Sequence, residues 1–394
     1  MRRFRCMKDR WQPSELYAVK RLAVQAARDL GAADVRVAPA HPDEAAREAM
    51  RAAFARGDFT TWRYDDDYAR KASSPQHVLA GAQSVICVAM PYRTQEPAYA
   101  PLTGRVSNYA WSADYHHRVK ALLAEVARRI DEQIGESVTA IACDTKPLAE
   151  RAFAARAGLG WVGKHTNLIN PQAGSFVFLG EIVTTLPLPP DVPLRKTCGT
   201  CARCIDVCPT GALRGDYTID ATRCIADLTQ RTDGIPREMR ASIGTWVWGC
   251  DLCQIACPPN ERATVKASGA NRALTPEIST PALVRLLQLR SGEFKRTYAR
   301  TAMGWRGAAV LRRNAAVALG NSLDRAAVPA LAAALGEDPH PMVRGHAAWA
   351  LGRIGGNAAV THLRRCLLRE QDEAVREEAE AAISASEPPP ACSR

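Results

Sequence analysis

Residues 198–209 read CGTCARCIDVCP. The spacing is C-x-x-C-x-x-C-x-x-x-C-P, with thiols at Cys198, Cys201, Cys204 and Cys208 and Pro209 directly after them. Two-residue gaps let a tight loop wrap three corners of an iron–sulfur cubane. In two-cluster ferredoxins the fourth cysteine of such a run reaches the neighbouring cluster. Residues 244–259, GTWVWGCDLCQIACPP, carry the tail of a second run: Cys250, Cys253 and Cys257, then Pro258. Val247 stands where its leading cysteine belongs, and Cys224 lies between the runs in IDATRCIADL. The simplest accounting gives Cys198, Cys201, Cys204 and Cys257 to one 4Fe–4S cluster. It gives Cys208, Cys224, Cys250 and Cys253 to the other. Two zinc sites would also use eight thiolates, but the ferredoxin spacing favours iron and sulfide.

The remaining five of the thirteen cysteines (Cys6, Cys87, Cys143, Cys366 and Cys392) are scattered and read as buried or incidental thiols. Clusters of this kind pass single electrons and do not transform a substrate themselves, so the chemistry is expected elsewhere in the chain.

The 394 residues suffice for two or three domains. No run of eighteen apolar residues occurs, and no apolar segment follows MRRFRCMKDRW, so neither a membrane span nor an export signal is expected. A cytoplasmic location follows, where clustered thiols bind metal more readily than they form disulfides. The formal net charge of +11 is compatible with a polyanionic partner.

Upstream of the cysteines, residues 14–30, 43–56 and 114–134 have helical spacing of apolar residues. SVICVAMPY (84–92), SVTAIACD (137–144) and SFVFLGEIVTT (175–185) read as strands. Alternating strands and helices predict an α/β domain over residues 1–187, closed by the Pro-rich LPLPPDVPL. A cysteine-rich, ferredoxin-like domain is expected over 188–262. Downstream, VRGHAAWALGRIG echoes LRRNAAVALGNSL, which predicts HEAT-like helical repeats over 263–385. A plain helical bundle is the alternative. A disordered tail is expected over 386–394. The fold class is thus α+β multidomain.

Within CDTKPLAERAFAARAGLGWVGKHTNLIN (143–170), Gly158, Gly160 and Gly163 form a G-x-G-x-x-G string. It follows a helix rather than a strand, so it is a helix cap and tight loop, not a dinucleotide fingerprint. Asp144 ends a predicted strand just before KPLAERAF. It is either the N-cap of that helix or a carboxyl able to deliver a proton.

In combination, this segment, the ferredoxin run, GCDLCQIACP and LRRNAAVALGN resemble the epoxyqueuosine reductases, in the same order from about residue 15 to 385. The resemblance implies an N-terminal domain that binds cobalamin, two 4Fe–4S clusters, and reduction of epoxyqueuosine to queuosine at the tRNA wobble position. It implies that Asp144 is the proton donor. Asp114, Tyr115 and His116 in ADYHHRV, and Arg151, become candidates for the substrate pocket. Lys71, Ser107, Tyr109, Lys164, His165 and Thr166 become candidates for the cobalamin pocket. GKHT replaces the commoner GKNT, and RKASSPQHVLAG departs from the usual R-x-x-P.

An external donor such as a flavodoxin or ferredoxin system, and a monomeric state, are also implied. The anticodon stem-loop then explains the basic stretch 285–313, in which Lys295, Arg296, Arg300, Arg306, Arg312 and Arg313 are candidate phosphate contacts. Three rival readings are a cobalamin-dependent reductive dehalogenase, a non-enzymatic two-cluster electron carrier and a generic nucleic-acid-binding cluster protein.

Overall fold

The computed structural model describes residues 11–59, 61, 64–263 and 275–386. Cys6, Cys392 and all of the expected 386–394 tail except Ser386 lie outside these residues. The chain divides into two compact units. One comprises Met1–Thr94, Tyr115–Thr222 and Leu252–Asn271, and the other comprises Gln95–Asp114, Arg223–Asp251 and Arg272–Arg394.

The first unit is built on a four-stranded sheet. Its strands are β1 (Asp34–Pro39), β2 (Ser84–Pro91), β3 (Thr139–Ala142) and β4 (Val177–Thr184). Their spatial order is β1–β2–β4–β3, and every pairing is antiparallel. The alternation of strands and helices expected from the sequence is present, but the strands run antiparallel. β2 is buried along nearly its whole length, because helices cover both of its faces.

Helix α1 (Pro13–Asp29) begins with proline in its first turn and buries Leu16, Val19, Ala23, Ala26 and Ala27, a stripe at helical period. It packs on α2 (Tyr115–Ile134), which buries Val119, Leu122, Leu123, Val126 and Ile130. Gly180 in β4 lets α2 approach: a Cβ there would sit 2.8 Å from both Leu123 and Val119. On the opposite face, α3 (Glu150–Arg156) drives Phe153 and Ala154 into a cluster with Val85, Cys87, Ala89, Ala142 and Val183.

The cysteine-rich stretch does not form a third compact unit. Residues up to Thr222 and from Leu252 belong with the sheet, whereas Arg223–Asp251 belongs with the second unit. Its helices, such as Arg203–Asp206 and Leu252–Ile255, are four residues long.

In the second unit, Arg105–Val106 pairs in parallel with Trp246–Trp248. After several short helices come the longer ones, α4 (Ala308–Ser322), α5 (Val328–Glu337), α6 (Pro341–Ile354), α7 (Asn357–Leu367) and α8 (Glu373–Ser386). The repeat seen in the sequence has a packing reason. Gly320 of α4 lies against Ala350 of α6, and Gly352 of α6 lies against Ala382 of α8; a Cβ on either glycine would clash at 2.6–2.8 Å. Each A-L-G is therefore the point of closest approach to the next repeat.

Candidate active site

All of the catalytic geometry described next lies within the first unit. The loop after β3 places Asp144 in the left-handed region, φ +52°, a conformation that is uncommon outside glycine. Asp144 does not cap the following helix. The N-cap of α3 is Ala149, and no side chain bonds there. The relation is reversed: the Asp144 N–H donates to Glu150 Oε1 at 2.5 Å, and this contact holds the turn. The Asp144 carboxylate is thereby free to face His116, whose Nε2 lies 2.9 Å from Oδ2. The hydrogen bond from His116 holds the Asp144 carboxyl below its ordinary range, against the opposing effect of burial.

His116 is the second residue of α2 and the last ring of an aromatic row. Tyr92 stacks on Phe178 at 4.3 Å, Phe178 on Tyr115 at 4.2 Å with the planes 3° apart, and Tyr115 on His116 at 4.1 Å. Tyr92, Phe178 and Tyr115 line a cleft of about 310 Å³ together with Asp144, Glu150, Arg151, Asn167, Ser175 and Gln254. Tyr92 and Phe178 carry no motif, and sequence reasoning passed over them as strand residues. Arg151 donates to the Thr166 carbonyl at 2.7 Å, which ties α3 to the hairpin formed by Trp161–Val162 and Leu168–Ile169.

Gln254 belongs to the cluster loop, between Cys253 and Cys257. Buried Asn260 fixes that loop to the start of β4. Its Nδ2 donates to the Gln254 carbonyl and to Ser175 Oγ, and its Oδ1 accepts from the Ser175 N–H. The second cysteine run thus supplies a wall of the cleft.

The four thiols assigned to the first cluster are gathered in this unit. Cys257 is pushed up to about 12, by burial first and then by Cys198, Cys204 and Cys201. Cys204 is likewise raised by burial, then by Cys198 and Cys201. Four thiolates that repel one another are a donor set suited to a cationic iron core. Among the described residues no three His, Cys, Asp or Glu side chains converge closely enough for a single metal ion. Thiolates at the corners of a cubane stand farther apart than that. Lys164 braces the loop: its N–H donates to Cys198 Sγ, and its Nζ donates to the carbonyls of Gly199 and Cys201. For the second set, Cys208 and Cys253 stand in the first unit and Cys224 and Cys250 in the second.

The hairpin also carries two buried polar groups that could hold a cofactor. His165 Nδ1 accepts from the Asn167 N–H, so its proton sits on Nε2. That Nε2 and the Trp161 Nε1 are buried without a partner among the described residues. Burial lowers His165 to about 4, so it is a neutral donor. Two orphan N–H groups on one hairpin fit a bound group that brings its own acceptors.

Comparison with known proteins agrees with these features. A family model for 4Fe-4S double cluster binding domains matches residues 197–260, one for HEAT repeats matches 307–384, and one for epoxyqueuosine reductase QueG, DUF1730, matches 73–145. An epoxyqueuosine reductase of Bacillus anthracis is 37% identical over 321 residues, which is 80% of this chain and 84% of that protein.

The chain belongs to the epoxyqueuosine reductase family.

Its fold agrees throughout with solved members. An epoxyqueuosine reductase with a tRNA-Tyr epoxyqueuosine-modified stem loop superposes with TM-score 0.88 and 32% identity, covering 94% of this chain and 99% of that one. The Bacillus subtilis epoxyqueuosine reductase, solved with its catalytic aspartate loop swung out of the active site, gives TM-score 0.88 and 31% identity, covering 94% and 100%. Family membership sets aside the dehalogenase and electron-carrier readings.

The remaining expected site residues have these contacts. Ser107 is buried in the second unit, where its Oγ donates to Asp251. Tyr109 OH accepts from Trp248 Nε1 at 2.9 Å, and the Asp114 N–H donates to the Arg300 carbonyl. Lys71 pairs with Asp67 one helical turn away. Arg313 is corrected outright as a phosphate contact. It is fully buried, and its guanidinium donates to the carbonyls of Leu228, Arg231 and Asp233. Arg312 is engaged by Asp338 at 2.7 Å and by the Leu289 carbonyl. Lys295, Arg296 and Arg300 are exposed, and Arg306 lies 3.7 Å over exposed Trp305.

Proposed function

We propose that this chain reduces epoxyqueuosine to queuosine in the tRNA anticodon loop, with Asp144 delivering a proton to the epoxide oxygen. The observation that carries this is the His116–Asp144 contact at a cleft whose wall includes Gln254 of the cluster loop. Substrate handling, proton delivery and electron entry therefore share one cavity.

The carboxylate at rest is anionic, and the proton it needs is stored on the imidazole. As the oxygen develops charge, the proton on His116 Nε2 crosses to Asp144 Oδ2 and on to the oxygen. The aromatic row of Tyr92, Phe178 and Tyr115 offers flat apolar surface beside the donor, suited to a nucleobase splayed out of a single-stranded loop. Arg151, fixed by the Thr166 carbonyl, offers a charge to the substrate's polar edge.

Cys198, Cys201, Cys204 and Cys257 would hold the first 4Fe–4S cluster, and Cys208, Cys224, Cys250 and Cys253 the second. His165 and Trp161 would face cobalamin with their free N–H groups. When bound, these groups supply two low-potential electrons to the epoxide-bearing ring. Lys164 serves this chemistry by fixing the loop of the first cluster. Lys295, Arg296, Arg300 and Arg306 would contact phosphates of the stem-loop. No helix among the described residues is long and apolar enough to cross a membrane. We infer a cytoplasmic monomer fed by a flavodoxin- or ferredoxin-type donor.

The test is anaerobic incubation of the cofactor-loaded chain with an anticodon stem-loop carrying epoxyqueuosine. A product one oxygen atom lighter supports the assignment, and unaltered substrate contradicts it.

A further inference from the structure

Removing an epoxide oxygen as water breaks two C–O bonds, forms one C=C bond, and consumes two electrons and two protons. The reduced cofactors provide the electrons, and the His116–Asp144 pair provides one proton. The second proton needs its own source.

Two glutamates beneath the Asp144 loop qualify. Glu150 lines the same cleft as Asp144 and accepts its N–H. Glu181 lies inside β4, opposite Cys87 of β2 on one side and Ala142 of β3 on the other. It is 0% exposed, both of its carboxyl oxygens are buried, and the one side-chain hydrogen bond that bears on it comes from Glu150. Burial strongly disfavours the charged form of a carboxyl, so Glu181 keeps its proton. Its ionisable neighbour is Glu150, and two adjacent buried carboxyls do not both ionise. The pair therefore keeps at least one proton, and burial brings Glu150 up to about 7.

The other titratable groups near the pair come from four elements. Cys87 on β2 and Cys143 after β3 are thiols pushed up, first by burial, and Tyr68 of the helix Asp66–Ala72 is likewise raised. These three stay neutral. Arg156 acts on Cys87, and Arg151 and Asp144 are the charges that act on Glu150.

We propose that Glu150 delivers the second proton of the reaction to the leaving oxygen, and that Glu181 is the positioning residue that holds this proton in reserve behind it. The inference rests on the function proposed above.

Glu150→Gln and Glu181→Gln test it in the cofactor-loaded chain, read by single-turnover reduction of the modified stem-loop across pH and by the infrared C=O band of a buried carboxylic acid. Glu150→Gln is expected to slow reduction about 10²–10⁴-fold, the usual worth of a general acid, with stem-loop Kd unchanged. Glu181→Gln is expected to abolish the band and to move the alkaline limb of the rate to lower pH. The glutamine amide can donate to Glu150 and so stabilises its anion.

Wild-type rates for Glu150→Gln at every pH would overturn the proposal, as would an unchanged band and limb in Glu181→Gln. Glu150 is on the cleft wall, so its variant decides the matter even if Glu181→Gln does not fold. Failure of the wild type to reduce the stem-loop would instead overturn the underlying function.

Discussion

His116 Nε2 and Asp144 Oδ2 stand 2.9 Å apart, with 22% of the histidine side chain and 58% of the aspartate side chain exposed. The pair is open enough to meet a substrate and close enough to share a proton. The histidine depresses the carboxyl, so the acid we propose is the hydrogen-bonded pair and not Asp144 alone.

Replacing His116 with Gln is therefore expected to slow reduction at neutral pH. Asp144 would return toward an ordinary carboxyl value of about 4, and few molecules would carry the proton at pH 7. Lowering the pH should restore part of the rate, because the carboxyl then protonates from solvent. A pH–rate profile of the variant checks this. A neutral-pH rate equal to wild type would mean that the imidazole stores no proton.

Cys257→Ser is expected to remove the first cluster. Iron per chain should fall from about eight to about four, and reduction should stop because electron entry is broken. Iron and sulfide analysis of oxygen-free protein measures it. Retention of all the iron would refute the ligand assignment.

Reversal of Lys295, Arg296 and Arg300 to Glu should weaken tRNA binding and flatten its salt dependence. The slope of log K against log salt should fall by about 0.7–0.9 for each phosphate that the protein no longer neutralises. Fluorescence anisotropy with a labelled stem-loop across a salt series reads both quantities. An unchanged slope would clear this surface of the role.

Arg313→Met should act on stability alone. It leaves the carbonyls of Leu228, Arg231 and Asp233 without their donor. The orphaned carbonyls of Leu228 and Arg231 are at buried contacts and cost about 1–3 kcal/mol each. Thermal unfolding should show a clear drop in Tm, while the salt slope of tRNA binding stays as in wild type.

The sequence disclosed what depends on local spacing and concealed what depends on pairing across the fold. The two cysteine runs announce their clusters because a cubane dictates two-residue gaps. The A-L-G echo announces the repeats because close helix packing demands glycine at fixed intervals. By contrast, DVRVAP is short and interrupted by charge, so β1 has no clear strand signature. Antiparallel order has no local mark in any one strand. Glu181 looks like a solvent-side residue in FVFLGEIVTT, and only the register with Cys87 and Ala142 shows it to be sealed. The same holds for Phe178, whose stacking on Tyr92 and Tyr115 joins residues far apart in the chain. Arg313 misled in the opposite direction. A basic cluster in sequence says nothing of which guanidinium turns inward.

The most direct test of the central claim compares wild type with Asp144→Asn in anaerobic reduction of the epoxyqueuosine-bearing stem-loop, with stem-loop affinity measured alongside. The account predicts equal affinity, intact clusters and a rate lower by about 10²–10⁴-fold, with the product one oxygen lighter formed at wild-type speed only when Asp144 is present. Reduction by Asp144→Asn at the wild-type rate would contradict it.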